Sequence, residues 1–127
     1  MANGTYITAL DNGSSLYAGY AIYNAERELS RLVLYNSVYY TGNGTRPVHD
    51  FHVEGLEGCG GVAGVRRLTA QSTLSRQDEG GNPTFAGQSF ANATCKVFGP
   101  EVVERVKVVD GKADFRVAAS EAVIVDL

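Results

Sequence analysis

Residues 102–118 read VVERVKVVDGKADFRVA. Two runs rich in β-branched residues flank Asp110-Gly111, and a type I′ turn needs φ > 0 at both central positions, which Asp-Gly tolerates. The stretch therefore predicts a β-hairpin with arms at 102–109 and 112–118. The same texture continues outward. LYAGYAIYN (16–24), SRLVLYNSV (30–38), RPVHDFHV (46–53), GVRRLT (64–69) and EAVIVDL (121–127) all read as strands, with Gly, Asn, Asp and Ser punctuating the gaps. No helical period separates them. The chain is expected to be all-β, an antiparallel β-sandwich of about eight strands.

Within 16–24, Leu16, Ala18, Tyr20 and Ile22 share one face, and Tyr17, Gly19, Ala21 and Tyr23 share the other. Both faces are apolar, so this strand is expected inside a sheet rather than at its rim. Residues 6–10 form a short first strand, and 24–29 a polar connection with room for one helical turn at most. Residues 31–38 pair back as a hairpin arm. Residues 70–83 are rich in Ser, Gln, Gly and Asp and read as an exposed loop. Residues 84–90 bring back two aromatics.

The 127 residues suit one domain spanning 1–127, large enough to bury its own core. A net charge of −3 gives no basic stripe, which argues against nucleic acid or an anionic membrane as partner. No apolar stretch approaches the roughly 20 residues needed to cross a bilayer. The chain opens without a basic n-region or an apolar h-region, so no secretory leader is read at its start. It nevertheless carries four Asn-x-Ser/Thr sequons in turn-like segments, at Asn3, Asn12, Asn43 and Asn92, while Asn82 is excluded by Pro83. Four glycosylation sequons favour an extracellular, secreted origin. A secreted-looking domain without a leader reads as the downstream part of a longer protein. Cys59 and Cys95 are the two cysteines. One disulfide between them is expected, stabilising the fold by about 3–4 kcal/mol in the chain-entropy account. The alternative is two free thiols that never meet.

Few constellations carry chemistry. Residues 58–63 read GCGGVA and match the G-x-G-x-x-A fingerprint, but that mechanism needs a helix to follow, and here VRRLT follows as a strand. No cofactor is expected. His49 and His52 lie three apart, which on a strand means opposite faces, and no third ligand is near, so no metal site is expected. No G-x-S-x-G nucleophile elbow occurs. Glu54, Glu57, Glu101, Glu104 and Glu121 are scattered and read as solvated charge. Tyr39-Tyr40 beside a Gly/Asn turn is the candidate for a sugar-stacking platform, although aromatics also fill sandwich cores.

Taken in order, LYAGYAIY (16–23), LSRLVLYNSVYY (29–40), VRRLTA (65–70), TFAGQSF (84–90) and SEAVIVDL (120–127) resemble the C-terminal domain of glycoside hydrolase family 79, the β-glucuronidase and heparanase-like enzymes. The resemblance covers nearly the whole chain. It implies a non-catalytic β-sandwich packed on the side of an N-terminal (β/α)8 barrel, which would be its partner. The barrel would perform retaining hydrolysis with a general-acid Glu and a nucleophile Glu at its strand ends. No catalytic residue can be carried onto this sequence. The positions expected to pack on the barrel are Tyr17, Tyr23, Thr84, Phe85, Gln88 and Phe90. The family's sandwich also borrows a strand from ahead of its barrel, and residues 6–10 are the one segment here able to stand in. Two other functions stay open: a free-standing module binding glucuronide-containing glycans, and a protein-interaction module.

Overall fold

The computed structural model describes residues 5–10 and 13–127. The described chain runs β1 (Tyr6–Leu10), β2 (Tyr17–Tyr23), β3 (Leu29–Asn36), β4 (Val48–Val53), β5 (Val62–Thr69), β6 (Thr84–Phe85), β7 (Ser89–Phe90), β8 (Val97–Phe98), β9 (Glu104–Lys107), β10 (Ala113–Ala118) and β11 (Glu121–Asp126). Eight of these strands have four residues or more, and β6, β7 and β8 are two-residue pieces. One 3-10 turn, Gln77–Glu79, lies in the 70–83 loop. All strand pairings are antiparallel. The large sheet runs β1-β2-β3-β11-β5-β6, with β9 also paired to β5. The second layer is the pair β4–β10, and β7–β8 is a small separate ribbon.

The turns follow from their residues. The segment joining β2 to β3 is a tight β-turn, not a helical one. The Asn24 side chain accepts the Glu28 N–H at 2.8 Å, the Asn24 N–H donates to the Glu28 carbonyl at 2.9 Å, and Arg27 sits at φ 64. Asn side chains favour such local closure over a helix. At Asp110-Gly111 both residues have positive φ, 51 and 71, as the turn type requires.

The arms of that hairpin do not share a ladder, however. Val109 and Lys112 exchange two hydrogen bonds of 2.9 Å, and then the strands part. β9 joins β5 in the large sheet, and β10 joins β4 in the second layer. Val106, Val108, Phe115 and Val117 are all drawn against the core, so each arm packs from its own layer. The Asp-Gly turn is thus the corner where the chain changes sheets.

Alternation builds the core. Leu32 and Leu34 of β3, Val65 of β5, and Val123 and Val125 of β11 face inward, opposite Phe115 and Val117 of β10, with Leu56 sealing one end. Among the described residues, Asn36 is the buried polar one. Its Nδ2 donates to the Val117 carbonyl at 3.1 Å and its Oδ1 accepts the Val38 N–H at 3.0 Å, so neither end is left unsatisfied.

Candidate functional site

Ladder partners in an antiparallel sheet share a face, so the register identifies what the large sheet turns away from its core. Across β2, β3 and β11 the outward rungs are Ala18, Tyr35 and Ala122, then Tyr20, Val33 and Ile124. Ile7 and Ile22 pair on the same side at the β1 edge. Leu68 and Phe85 pair there at the β6 edge. Ile7 is 66% exposed and Leu68 48% exposed, while the central rungs are half-buried only by their neighbours on the same face. The strands are therefore apolar on both sides.

This face has a polar margin. Asp126 accepts from Arg31 Nε at 2.6 Å and also pairs with Arg66, whose Nε donates to Glu101 at 2.7 Å. Two cations and two carboxylates thus balance along one margin of the apolar strip, with Arg66 beside Ile124 on its rung. In the middle the Tyr20 and Tyr35 rings stack with centroids 6.4 Å apart. The Tyr20 phenol, with some desolvation, pushes the Tyr35 hydroxyl above its ordinary pKa.

Tyr17 and Tyr23 do not belong to this face. Both point inward: Tyr17 stacks on His49 with centroids 3.8 Å apart, and Tyr23 packs on the core. The sequence offers two sets of tyrosines one residue out of phase, and only the pairing register separates them. Tyr20 and Tyr35, not singled out from the sequence, are the outward rings.

The 84–90 segment forms a locked corner beside the strip. Thr84 is half-buried opposite Thr69. Buried Ala86, at φ 49, donates its N–H to the Arg67 carbonyl at 2.8 Å and accepts the Val102 N–H at 2.7 Å. Gln88 Nε2 donates to the Gly99 carbonyl at 3.0 Å. Phe85 faces outward, and Phe90 is exposed on β7.

The remaining candidates are dispersed. The expected disulfide is not formed: Cys59 and Cys95 are free thiols, Cys59 packed on the core before β5 and Cys95 exposed in the β7–β8 turn. Asn43 and Asn92 are exposed, whereas Asn3 and Asn12 lie outside the described residues. GCGGVA leads into β5, a strand. His49 lies against Tyr17 while His52 bonds Asp114 on the other side of β4, and no group of three or more His, Cys, Asp or Glu gathers among the described residues. Tyr40 is tied into its turn by its hydroxyl on the Gly44 carbonyl and by Arg46 over its ring, while Tyr39 is 57% exposed beside it. Glu54, Glu101, Glu104 and Glu121 each pair with a Lys or Arg. No described helix is long and apolar enough to cross a membrane.

Three comparisons bear on this geometry. Residues 19–124 match the family described as the glycosyl hydrolase family 79 C-terminal beta domain. Among solved structures, the chain is similar to a 4-O-alpha-L-rhamnosyl-beta-D-glucuronidase from Fusarium oxysporum 12S, in complex with Rha-GlcA, at 44% identity and a TM-score of 0.92. That match covers 99% of this chain and 27% of the enzyme's. No curated protein matches.

Proposed function

The chain belongs to glycosyl hydrolase family 79, as its C-terminal beta domain, and from this we propose that it is a non-catalytic supporting layer for a (β/α)8 barrel, which its outward apolar strip covers. The observation that carries the reading is the two-sided apolar pattern of β2, β3 and β11. An antiparallel sheet with one face in water alternates apolar with polar. Val33, Ile124, Tyr20, Tyr35, Ile22 and Ile7 break that rule on one contiguous surface. Such surfaces mark association sites. The occupant is a catalytic body of the same enzyme, because the similar Fusarium chain is several times longer than the part matched here. The parent acts on a glucuronide by retaining hydrolysis and is secreted, with Asn43 and Asn92 free to carry glycans.

The strip, rather than the inward pair Tyr17 and Tyr23, makes the contact, with Phe85 at its border and the Arg31, Arg66 and Asp126 cluster fixing orientation. Thr84, Gln88 and Phe90 shape the corner beside it. Coexpression of this chain with a family 79 barrel tests the reading. A stable complex on size-exclusion chromatography is expected, and separate elution of two well-folded proteins would refute it.

A further inference from the structure

Away from the strip, on the inner side of the large sheet, the two-stranded second layer leaves the β1–β2 end uncovered. Tyr6 and Tyr23 pair directly across these strands, so their rings share this uncovered face, with Thr8 two residues along. Arg27, held at φ 64 by the β2–β3 turn, lies over the Tyr6 ring at 5.1 Å from its centroid. Tyr6, Thr8, Tyr23 and Arg27 line a hollow of about 310 Å³, near the lower end of small-ligand sites. Among the described residues Arg27 makes no ion pair. The nearby Glu28 carboxylate is engaged by Asn24 Nδ2 at 3.0 Å.

We propose that this hollow binds a single uronic-acid residue of a glycan. The chemistry is that of the lining. Phenol rings offer flat apolar faces to the C–H side of a pyranose. A planar guanidinium with free donors suits a carboxylate. The tyrosine and threonine hydroxyls complement sugar hydroxyls. Neutral hexoses would leave the guanidinium without an anion, so the carboxylate sets the preference. The choice of uronic acid over other carboxylates rests on the glucuronidase reading above, since a domain leaning on such a barrel would meet that ligand. The site lies on the opposite side of the sheet from the barrel-facing strip, so the two are open to separate tests.

The test is a titration of the isotope-labelled chain with glucuronic acid, with glucose as the neutral control, followed by amide shifts. Saturable shifts at Tyr6, Thr8, Tyr23 and Arg27 are expected, with a Kd of order 1–10 mM. Glucose should bind at least about tenfold more weakly, as the loss of a charge-assisted contact implies. Arg27→Asn, chosen because Asn tolerates a left-handed backbone, should abolish the preference. Arg27→Lys should retain part of it, and Tyr6→Ala should weaken both sugars, with spectral dispersion reporting that each variant is folded. Equal shifts from glucose and glucuronic acid, unaltered binding by Arg27→Asn, or no shift well above that range would each overturn the proposal. Barrel capture by the same variants is read separately: retention with no sugar binding removes this site alone, and loss of capture by wild type removes the supporting-layer reading alone.

Discussion

Arg67 holds both carboxylate oxygens of Glu104, at 2.8 and 2.9 Å, and reaches Glu121 with a further N–H at 2.8 Å. Because the same guanidinium also donates to the Arg116 carbonyl at 3.0 Å, it links β5, β9, β11 and β10. Sheet pairing does not join the two layers, so this clasp shares the task with the apolar core and with the Asn36 bond to the Val117 carbonyl.

Acid sensitivity follows from the clasp. The hydrogen bonds from Arg67 hold the Glu104 carboxyl below its ordinary value of 4.5. Burial opposes ionisation of Glu121 but is outweighed by the Thr69 hydroxyl, the Ala118 N–H and Arg67, so its pKa is lowered as well. Groups depressed in the folded state contribute stability that is complete above their unfolded values and is lost as pH falls through the folded ones. The melting temperature should be flat from neutral pH to about pH 5 and drop below about pH 4.5. Glu104→Gln should lower the plateau and flatten the drop; a wild-type melting temperature unchanged down to pH 3 would contradict this.

The two thiols are independent. Thiol titration of the native chain should label Cys95 quickly and Cys59 slowly, because Cys59 packs on the core. Reductant should leave the melting temperature unchanged, since no cross-link constrains the unfolded chain. A reductant-dependent fall of several degrees, with no free thiol detected, would show that the pair is bridged.

Gly87 is the tightest backbone requirement of the 84–90 corner. At φ 73, a Cβ there would stand 2.7 Å from Val102 Cγ2. Gly87→Ala should therefore cost more than about 1 kcal/mol in denaturant unfolding, from strain and crowding together. Stability equal to wild type would mean that the 99–103 segment yields freely.

Much of this fold was legible in the sequence, because β-branched alternation and Gly/Asn turns are local signals. The strand read at 16–24 stands as Tyr17–Tyr23, the closing one at 121–127 as Glu121–Asp126, and the arms at 102–109 and 112–118 as the shorter Glu104–Lys107 and Ala113–Ala118. Long-range pairing was not legible. The Asp-Gly turn fixed a reversal, but whether its arms stay in one sheet depends on what each packs against. The phase of β2 likewise hid which tyrosines face out, since Tyr17, Tyr20 and Tyr23 alternate in a strand apolar on both sides. The disulfide expectation rested on an even count of cysteines, and count carries no geometry. The Arg67 clasp joins residues up to 54 positions apart, which no local pattern reports.

The most direct measurement of the supporting-layer account is barrel capture by Ile124→Arg, which places a charge at the centre of the outward strip without touching the core. The account predicts an unaltered melting temperature for the isolated chain, and capture weakened at least about tenfold by burying an unpaired charge. Full-strength capture by Ile124→Arg, or hydrolysis of a nitrophenyl glucuronide by the chain alone, would contradict it.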